Sequence, residues 1–320
     1  MSFSTRMKDD LARVISSKSC CRKAEFLAFF LINGNIRIGK GVSLVMKTEH
    51  SGAARKMYTL AKDFGLEREV TAFRRSRLKK NQVYTIEIPA QEKMGAFMSE
   101  LGMVDEQIAW HFDFTDAVRE RFLRENCCCR AYLRGAFLAA GSVTDPDTGS
   151  YHLEIDSLDS AQAALIIDLL ASFDLKGKSV LRRETQTVYL KGAEQLSTFM
   201  NIVGAHRALL QLESVRVTRD MRNMTNRRRN CDNANVNKTV VAAMRQTDDI
   251  QLIIESIGFE TLPQNLRTAA ELRLDNPEAN LAELSELSGL GRSALNHRLR
   301  RLAEIAENIR VYGPGEWDKD

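Results

Sequence analysis

Three groups of residues in this 320-residue chain could do chemistry. Five of its six cysteines lie as Cys20-Cys21 and Cys127-Cys128-Cys129. Thiolates ligate zinc, but neighbouring residues rarely aim both sulfurs at one ion and no Cys-x-x-Cys occurs, so the sequence predicts no metal and no cofactor. The second group is basic. Between Val215 and Thr239, Arg216, Arg219, Arg222, Arg227, Arg228, Arg229 and Lys238 face only Asp220 and Asp232, and Asn223, Asn226, Asn230, Asn233, Asn235 and Asn237 lie among them. Arginine and asparagine bond phosphates and base edges, which makes double-stranded DNA the expected partner. The whole chain has 46 basic and 42 acidic residues, a net +4, so its excess resides in this segment. A second run, Arg74, Arg75, Arg77, Lys79 and Lys80, contains no acid, and Arg182 and Arg183 stand near the corresponding place later in the chain. Either run alone also fits a solvated surface loop. The third group is Arg292, Ser293, Asn296, His297 and Arg300, interleaved with Leu295 and Leu299.

The length predicts two or three domains, and 44% hydrophobic residues with only 18 Gly and 5 Pro predict folded cores rather than disorder. Six cysteines are too few for a disulfide scaffold, which points to a reducing cytoplasm. The polar stretch Met1 to Ala12 does not resemble a secretion signal and no long apolar run suggests a membrane span, so a cytoplasmic, nucleoid-associated protein is expected.

An internal repeat organises the first two thirds. CCRKAEFLAFFLINGNI at Cys20 to Ile36 matches CCCRAYLRGAFLAAGSV at Cys127 to Val143 with a constant spacing of 107. Three further anchors keep the same order: Phe64-Gly65-Leu66 with Phe173-Asp174-Leu175, Val83-Tyr84 with Val188-Tyr189, and Phe97-Met98 with Phe199-Met200. Each copy reads as a helix (22–33; 129–140) stopped by Gly34 or Gly141, a strand pair including 42–48 or 151–157, a helix (53–64; 161–173), a hairpin (67–75 with 82–88; 178–184 with 186–190) and a short helix. The fold class is therefore α+β, an αββαββα unit repeated twice. Small residues on the opening helices, Ala24 and Ala28 in one and Ala131, Gly135 and Ala139 in the other, predict that these two helices pack together.

In the last third, 240–257 and 264–274 read as helices, the second opened by Pro263 and broken at Asn276-Pro277. Leucines spaced through 281–302 around Ser288-Gly289-Leu290-Gly291 predict a helix-turn-helix whose second helix starts near Arg292. Its polar side would carry the third group toward a major groove.

The nine residues Phe26 to Gly34 and Leu133 to Gly141 resemble the motif of the LAGLIDADG homing endonucleases, whose paired motif helices hold two antiparallel sheets as a DNA-binding saddle. In cleaving members the position before the final glycine is an acid; here Asn33 and Ala140 stand before Gly34 and Gly141. Hydrolysis of a phosphodiester with divalent metals needs carboxylates at that point, so the chain is expected not to be an enzyme. With the Arg/Asn-rich connector and the helix-turn-helix, the sequence resembles the WhiA family across nearly its whole length. That resemblance implies a sequence-specific DNA-binding regulator of transcription, tied to sporulation in some bacteria and to cell division and chromosome segregation in others, with another transcription regulator as a further partner and no small-molecule substrate. Two alternatives stay open: an endonuclease with a relocated metal site at Asp145, Asp147, Glu154 and Asp156, and a protein-protein adaptor that touches DNA only through its C-terminal domain.

The expected organisation is an N-terminal extension (1–19), repeat 1 (20–106), a linker with repeat 2 (107–213), the basic connector (214–239), the helix-turn-helix domain (240–310) and a tail (311–320). The connector's arginines would repel one another in an isolated loop. It is therefore expected to be mobile in the free protein and to order on DNA.

Overall fold

The computed structural model describes residues 2–39, 41–74, 82–104, 118–119, 122–182 and 185–314, Arg74 in its backbone alone. The expected DNA contacts Arg75, Arg77, Lys79, Lys80 and Arg183 lie outside the described residues, as do tail residues 315–320. The chain forms two compact units, Met1–Arg219 and Asp220–Asp320.

The first unit carries the duplication. A short helix α1 (Phe3–Ala12) precedes the first copy, which runs α2 (Ser19–Asn33), β1 (Gly34–Ile38), β2 (Val42–Thr48), α3 (Ser51–Asp63), β3 (Glu69–Arg74), β4 (Gln82–Ile88) and α4 (Met94–Glu100). The second runs α5 (Asn126–Ala140), β5 (Gly141–Val143), β6 (His152–Ser157), α6 (Ser160–Ala171), β7 (Lys178–Arg182), β8 (Thr185–Lys191) and α7 (Ala193–Val203). Each copy has one antiparallel sheet, ordered β1-β2-β4-β3 or β5-β6-β8-β7. Period-two alternation sends Leu44, Met46, Ile86 and Ile88, and likewise Leu153, Ile155, Val188 and Leu190, into the core, all at most 1% exposed.

Both motif helices end at glycine, as the sequence predicts, but the backbone there is not left-handed. Gly34 has φ −96° and Gly141 φ −76°, both extended. The requirement for glycine is steric: a Cβ at Gly34 would lie 2.4 Å from the Phe30 ring, and one at Gly141 2.3 Å from the Phe137 ring. The aromatic residue four positions earlier folds over the helix end, and the chain can enter β1 or β5 only if no side chain is there.

α2 and α5 pack against each other along their length, each buried on nearly every side. The helices approach closely at Gly135, where a Cβ would sit 2.3 Å from the Glu25 carbonyl oxygen and 3.0 Å from Ala28 Cβ. Beside it the fully buried Glu25 carboxylate takes both prongs of Arg134, Nε to Oε1 at 3.0 Å and Nη2 to Oε2 at 3.0 Å. Lys56 of α3 completes the cluster by pairing with Glu25 and donating to the Leu11 carbonyl at 2.8 Å, while Arg134 Nη1 donates to the Val203 carbonyl at 3.1 Å. One carboxylate thus ties both repeats, α1 and the end of α7.

Between the units runs the main departure from expectation. The segment read as a mobile connector is helical, part of α8 (His206–Ile257), which also absorbs the helix expected at 240–257. No Gly or Pro interrupts residues 205 to 257, so nothing forces a break. Charge repulsion between neighbouring arginines is weak when each side chain is solvated, and the threonines satisfy themselves locally: Thr218, Thr225 and Thr239 donate to the carbonyls four residues back at 2.9, 2.9 and 3.0 Å.

The second unit continues with α9 (Gln264–Asp275), α10 (Leu281–Ser288) and α11 (Arg292–Tyr312), so the last helix passes into the segment expected as a tail. Its core joins Ile250 and Ile253 to Leu266, Ala270, Leu284, Leu295, Leu299 and Leu302. Among the described residues no helix is long and apolar enough to cross a membrane.

The seam generates two predictions. Gly135→Ala must push α2 from α5 and should lower stability by about 1–3 kcal/mol in chemical denaturation, as overpacking does; an unchanged midpoint would show that the helices can separate freely. Burial holds the Lys56 amine down to about 8, against its usual 10.5, despite the Glu25 charge that raises it. Between those pH values the unfolded chain keeps a proton the folded chain has lost, so this group's contribution to stability rises with pH across that window. Thermal melts of Lys56→Met should show a flatter rise than those of the unaltered chain.

Candidate nucleic-acid interface

At the motif ends, Asn33 turns its amide across the seam and donates to the Ala139 carbonyl at 2.9 Å. The position that holds a metal-binding acid in cleaving endonucleases is here a bond between helix termini. Both residues border a cavity of about 930 Å³ walled by Ser2 and by Thr5 and Lys8 of α1, and by Lys47, Phe73 and Tyr84 of the first sheet. Among the described residues that line it, Glu49 is the single carboxylate, against Lys8 and Lys47. The His50 Nδ1 accepts the Ala53 N–H at 3.1 Å, capping α3, and burial holds its pKa below the usual value despite Asp9 at 3.3 Å. This is a cationic, polar recess rather than a carboxylate cage.

Among the acids weighed as a relocated site, Asp145, Glu154 and Asp156 are engaged with other partners. Asp145 accepts the Asp147 N–H at 3.1 Å and faces Arg6 at 3.7 Å. Glu154 holds His152 and Arg182, each at 2.7 Å. Burial raises the Glu154 carboxyl's pKa, but those two partners outweigh it and leave the group below its usual range. Asp156 accepts from Thr187 Oγ1 at 2.7 Å. Among the described residues, the one set of three or more His, Cys, Asp or Glu side chains close enough for a common ion is Cys20, Cys21 and Cys128. The sequence discounted these thiols because neighbours rarely converge. They meet across the seam, which adjacency could not reveal.

The outer sheet faces are near neutral where described. Arg37 bonds Glu87 through Nη1 at 3.1 and 3.2 Å, and Arg182 is taken up by Glu154. Lys8 comes under the influence of Asp156, and burial lowers its amine to about 8.

The second unit differs. Arg222, Asn226, Arg229, Asn233 and Asn237 recur every three or four positions along α8 and are all exposed, so they form one stripe, flanked by Asn223 and Asn230. Arg227, Arg228 and Lys238, also exposed, project from other sides, a distinction invisible while the segment is read as a loop. Arg216 and Arg219 serve the first unit instead: Arg219 donates to the Pro146 carbonyl at 2.8 Å and to the Tyr151 hydroxyl at 3.1 Å.

Further along, α10 begins with a capping box in which the Asn280 side chain accepts the Ala282 and Glu283 N–H groups at 2.8 and 3.1 Å and Glu283 returns a bond to the Asn280 N–H at 2.8 Å. It ends at Gly289 in the left-handed region, φ 67°, where the chain reverses into α11. Arg292, Ser293, Asn296, His297 and Arg300 are all exposed on the first turns of α11, while Leu295, Leu299 and Leu302 are at most 2% exposed. Buried Asp249 anchors the far end of that helix through Arg310, and Arg273 holds the approach to α10 by donating to the Ala279 and Asn276 carbonyls at 2.7 and 3.2 Å. The exposed side therefore presents donors and acceptors on a rigid helix, the arrangement that reads a major groove.

Comparisons with known proteins agree with this layout. The chain matches the WhiA N-terminal LAGLIDADG-like domain over residues 19–104, the WhiA LAGLIDADG-like domain over 129–222 and the WhiA C-terminal HTH domain over 225–306. It is 44% identical over 312 residues to a Heliobacterium modesticaldum protein named probable cell division protein WhiA, covering 96% of each chain. A Bacillus cytotoxicus protein of the same name is 42% identical over 316 residues, covering 97% of this chain and 98% of that one. The crystal structure of full-length DUF199/WhiA from Thermatoga maritima superposes with a TM-score of 0.61 at 26% identity, over 96% of this chain and 99% of that one.

Replacing the Asn33 amide by a carboxylate sets acceptor against acceptor at the Ala139 carbonyl. Asn33→Asp should therefore lower stability by about 1–3 kcal/mol in denaturant titration, with Asn33→Leu less severe. A stability equal to the unaltered chain would remove Asn33 from the seam.

Proposed function

The chain belongs to the WhiA family, and from that premise we propose that it is a sequence-specific regulator that binds double-stranded DNA through its second unit and has no catalytic activity. The observation that carries this reading is the exposed row Arg292, Ser293, Asn296, His297 and Arg300 on a helix whose other side is locked by buried leucines. The Arg222–Asn237 stripe adds a second helix with the residue types that grip phosphates and base edges. The names of its relatives support a role in cell division, and we extend that to transcription control linked to chromosome segregation, or to sporulation where the host sporulates. The protein would act in the cytoplasm at the nucleoid, with another transcription regulator as a partner. The near-neutral described sheet faces favour a scaffolding role for the first unit, with Arg74, Arg75, Arg77, Lys79 and Arg183 as its remaining candidate contacts. Asn33 and Ala140 support the loss of nuclease chemistry, since neither supplies a carboxylate.

Binding curves on a preferred and a random duplex separate the roles. Asn296→Ala or Arg300→Ala should lose about 1–3 kcal/mol on the preferred duplex and little on the random one. Arg222→Ala with Arg229→Ala should weaken both and reduce the slope of log affinity against log salt by about 1.8, roughly 0.9 per phosphate contact. Equal losses on both duplexes would reassign the α11 residues to phosphate contact, and an unchanged slope would place the stripe in solvent. Supercoiled plasmid incubated with Mg²⁺ or Mn²⁺ should remain intact; reproducible nicking would overturn the non-catalytic reading.

A further inference from the structure

The cysteines that the DNA-binding reading leaves unused converge at the N-terminal ends of the paired helices. Cys20 and Cys21 stand at the second and third positions of α2, and Cys127 and Cys128 at the second and third positions of α5. Packing of the two helices turns these pairs toward each other. Cys21 Sγ and Cys128 Sγ are 3.9 Å apart, and the sulfurs of Cys20, Cys21 and Cys128 all lie within 4.8 Å of one another. The Cys127 thiol borders both Cys21 and Cys128, and Lys18 Nζ lies 3.8 Å from its sulfur. Cys129 is turned away and donates to the Leu123 carbonyl at 3.3 Å.

We propose that this cluster is a mononuclear zinc(II) site, ligated by the thiolates of Cys20, Cys21 and Cys128 with Cys127 as the fourth donor. Zn–S bonds of about 2.3 Å in a tetrahedron place the sulfurs about 3.8 Å apart, which the Cys21–Cys128 separation already meets. Neither helix has a side-chain N-cap hydrogen bond, so the positive ends of two helix dipoles face the thiolates without a competing cap. Lys18 adds a full positive charge against the net negative charge of a four-thiolate zinc. Cys20 is exposed and Cys127 half-exposed, while Cys21 and Cys128 are each 2% exposed, so the ion has an entry path and a dry seat. Binding releases the thiol protons to solvent and changes no oxidation state. The ion would bind repeat 1 to repeat 2 at the end of the helix pair opposite Asn33.

The test uses the full chain, reduced and stripped of metal, titrated with Zn²⁺ against a chromophoric chelator and separately with Co²⁺. The expected result is one ion per chain, cobalt bands of a tetrahedral thiolate site, a higher melting temperature with zinc and weaker binding as the pH falls. Cys20→Ser, at an exposed position that leaves the core intact, should weaken zinc at least about tenfold, the smallest loss seen even for groups outside the ligand set. Cys129→Ser and Cys231→Ser should bind as the unaltered chain does. Equal binding by the unaltered chain and a Cys20→Ser/Cys127→Ser variant would overturn the site. So would a reduced protein that takes up no metal yet forms a Cys21–Cys128 disulfide in air.

Discussion

The close approach of α2 and α5 is the constraint on which the first unit depends. Gly135 lets the helices meet at the Glu25 backbone, and that closeness excludes water from Glu25, Arg134 and Lys56. A buried carboxylate so placed must be fully partnered, and its partners come from the second repeat and from α3, while their remaining donors reach α1 and α7. The same closeness brings Asn33 to the Ala139 carbonyl. A position at which a metal-dependent nuclease needs a charge has become part of the seam, so installing an acid there works against the fold.

Charge divides between the units accordingly. On the described sheet faces the arginines are spent on neighbouring carboxylates, as with Arg37 and Glu87 or Arg182 and Glu154. Among the described residues, Arg222, Arg227, Arg228 and Arg229 of α8 and Arg292 and Arg300 of α11 form no ion pair with a carboxylate, and the α11 residues stand on a helix seated by buried Leu295, Leu299 and Leu302. A helix seated in this way has little backbone freedom left to lose on meeting DNA, which favours its use for recognition.

Much of this was legible in the sequence, for identifiable reasons. The duplication shows because both copies must solve one packing problem, with a small-residue helix face, a glycine after it and alternating strands at the same spacing. The helix-turn-helix shows because leucine periodicity and Gly289 are local signals. The glycines at 34 and 141 were legible as stops but not in their cause, which is the ring of Phe30 or Phe137 rather than a left-handed backbone. The helical state of 214–239 was masked by its charge and asparagine content, while the absence of Gly and Pro was the signal that pointed the other way. What could not be read were pairings across the seam: Asn33 with Ala139, Glu25 with Arg134, and Cys21 with Cys128 are 106, 109 and 107 residues apart.

The central claim is that the first unit is a non-catalytic scaffold and that DNA is gripped by α8 and the start of α11. Hydrogen–deuterium exchange of the full chain, with and without a duplex to which it binds, tests this most directly. The account predicts added protection over 222–237 and 292–300 and little change over β1 to β8. Protection concentrated in the sheets, with α8 and α11 unchanged, would contradict it.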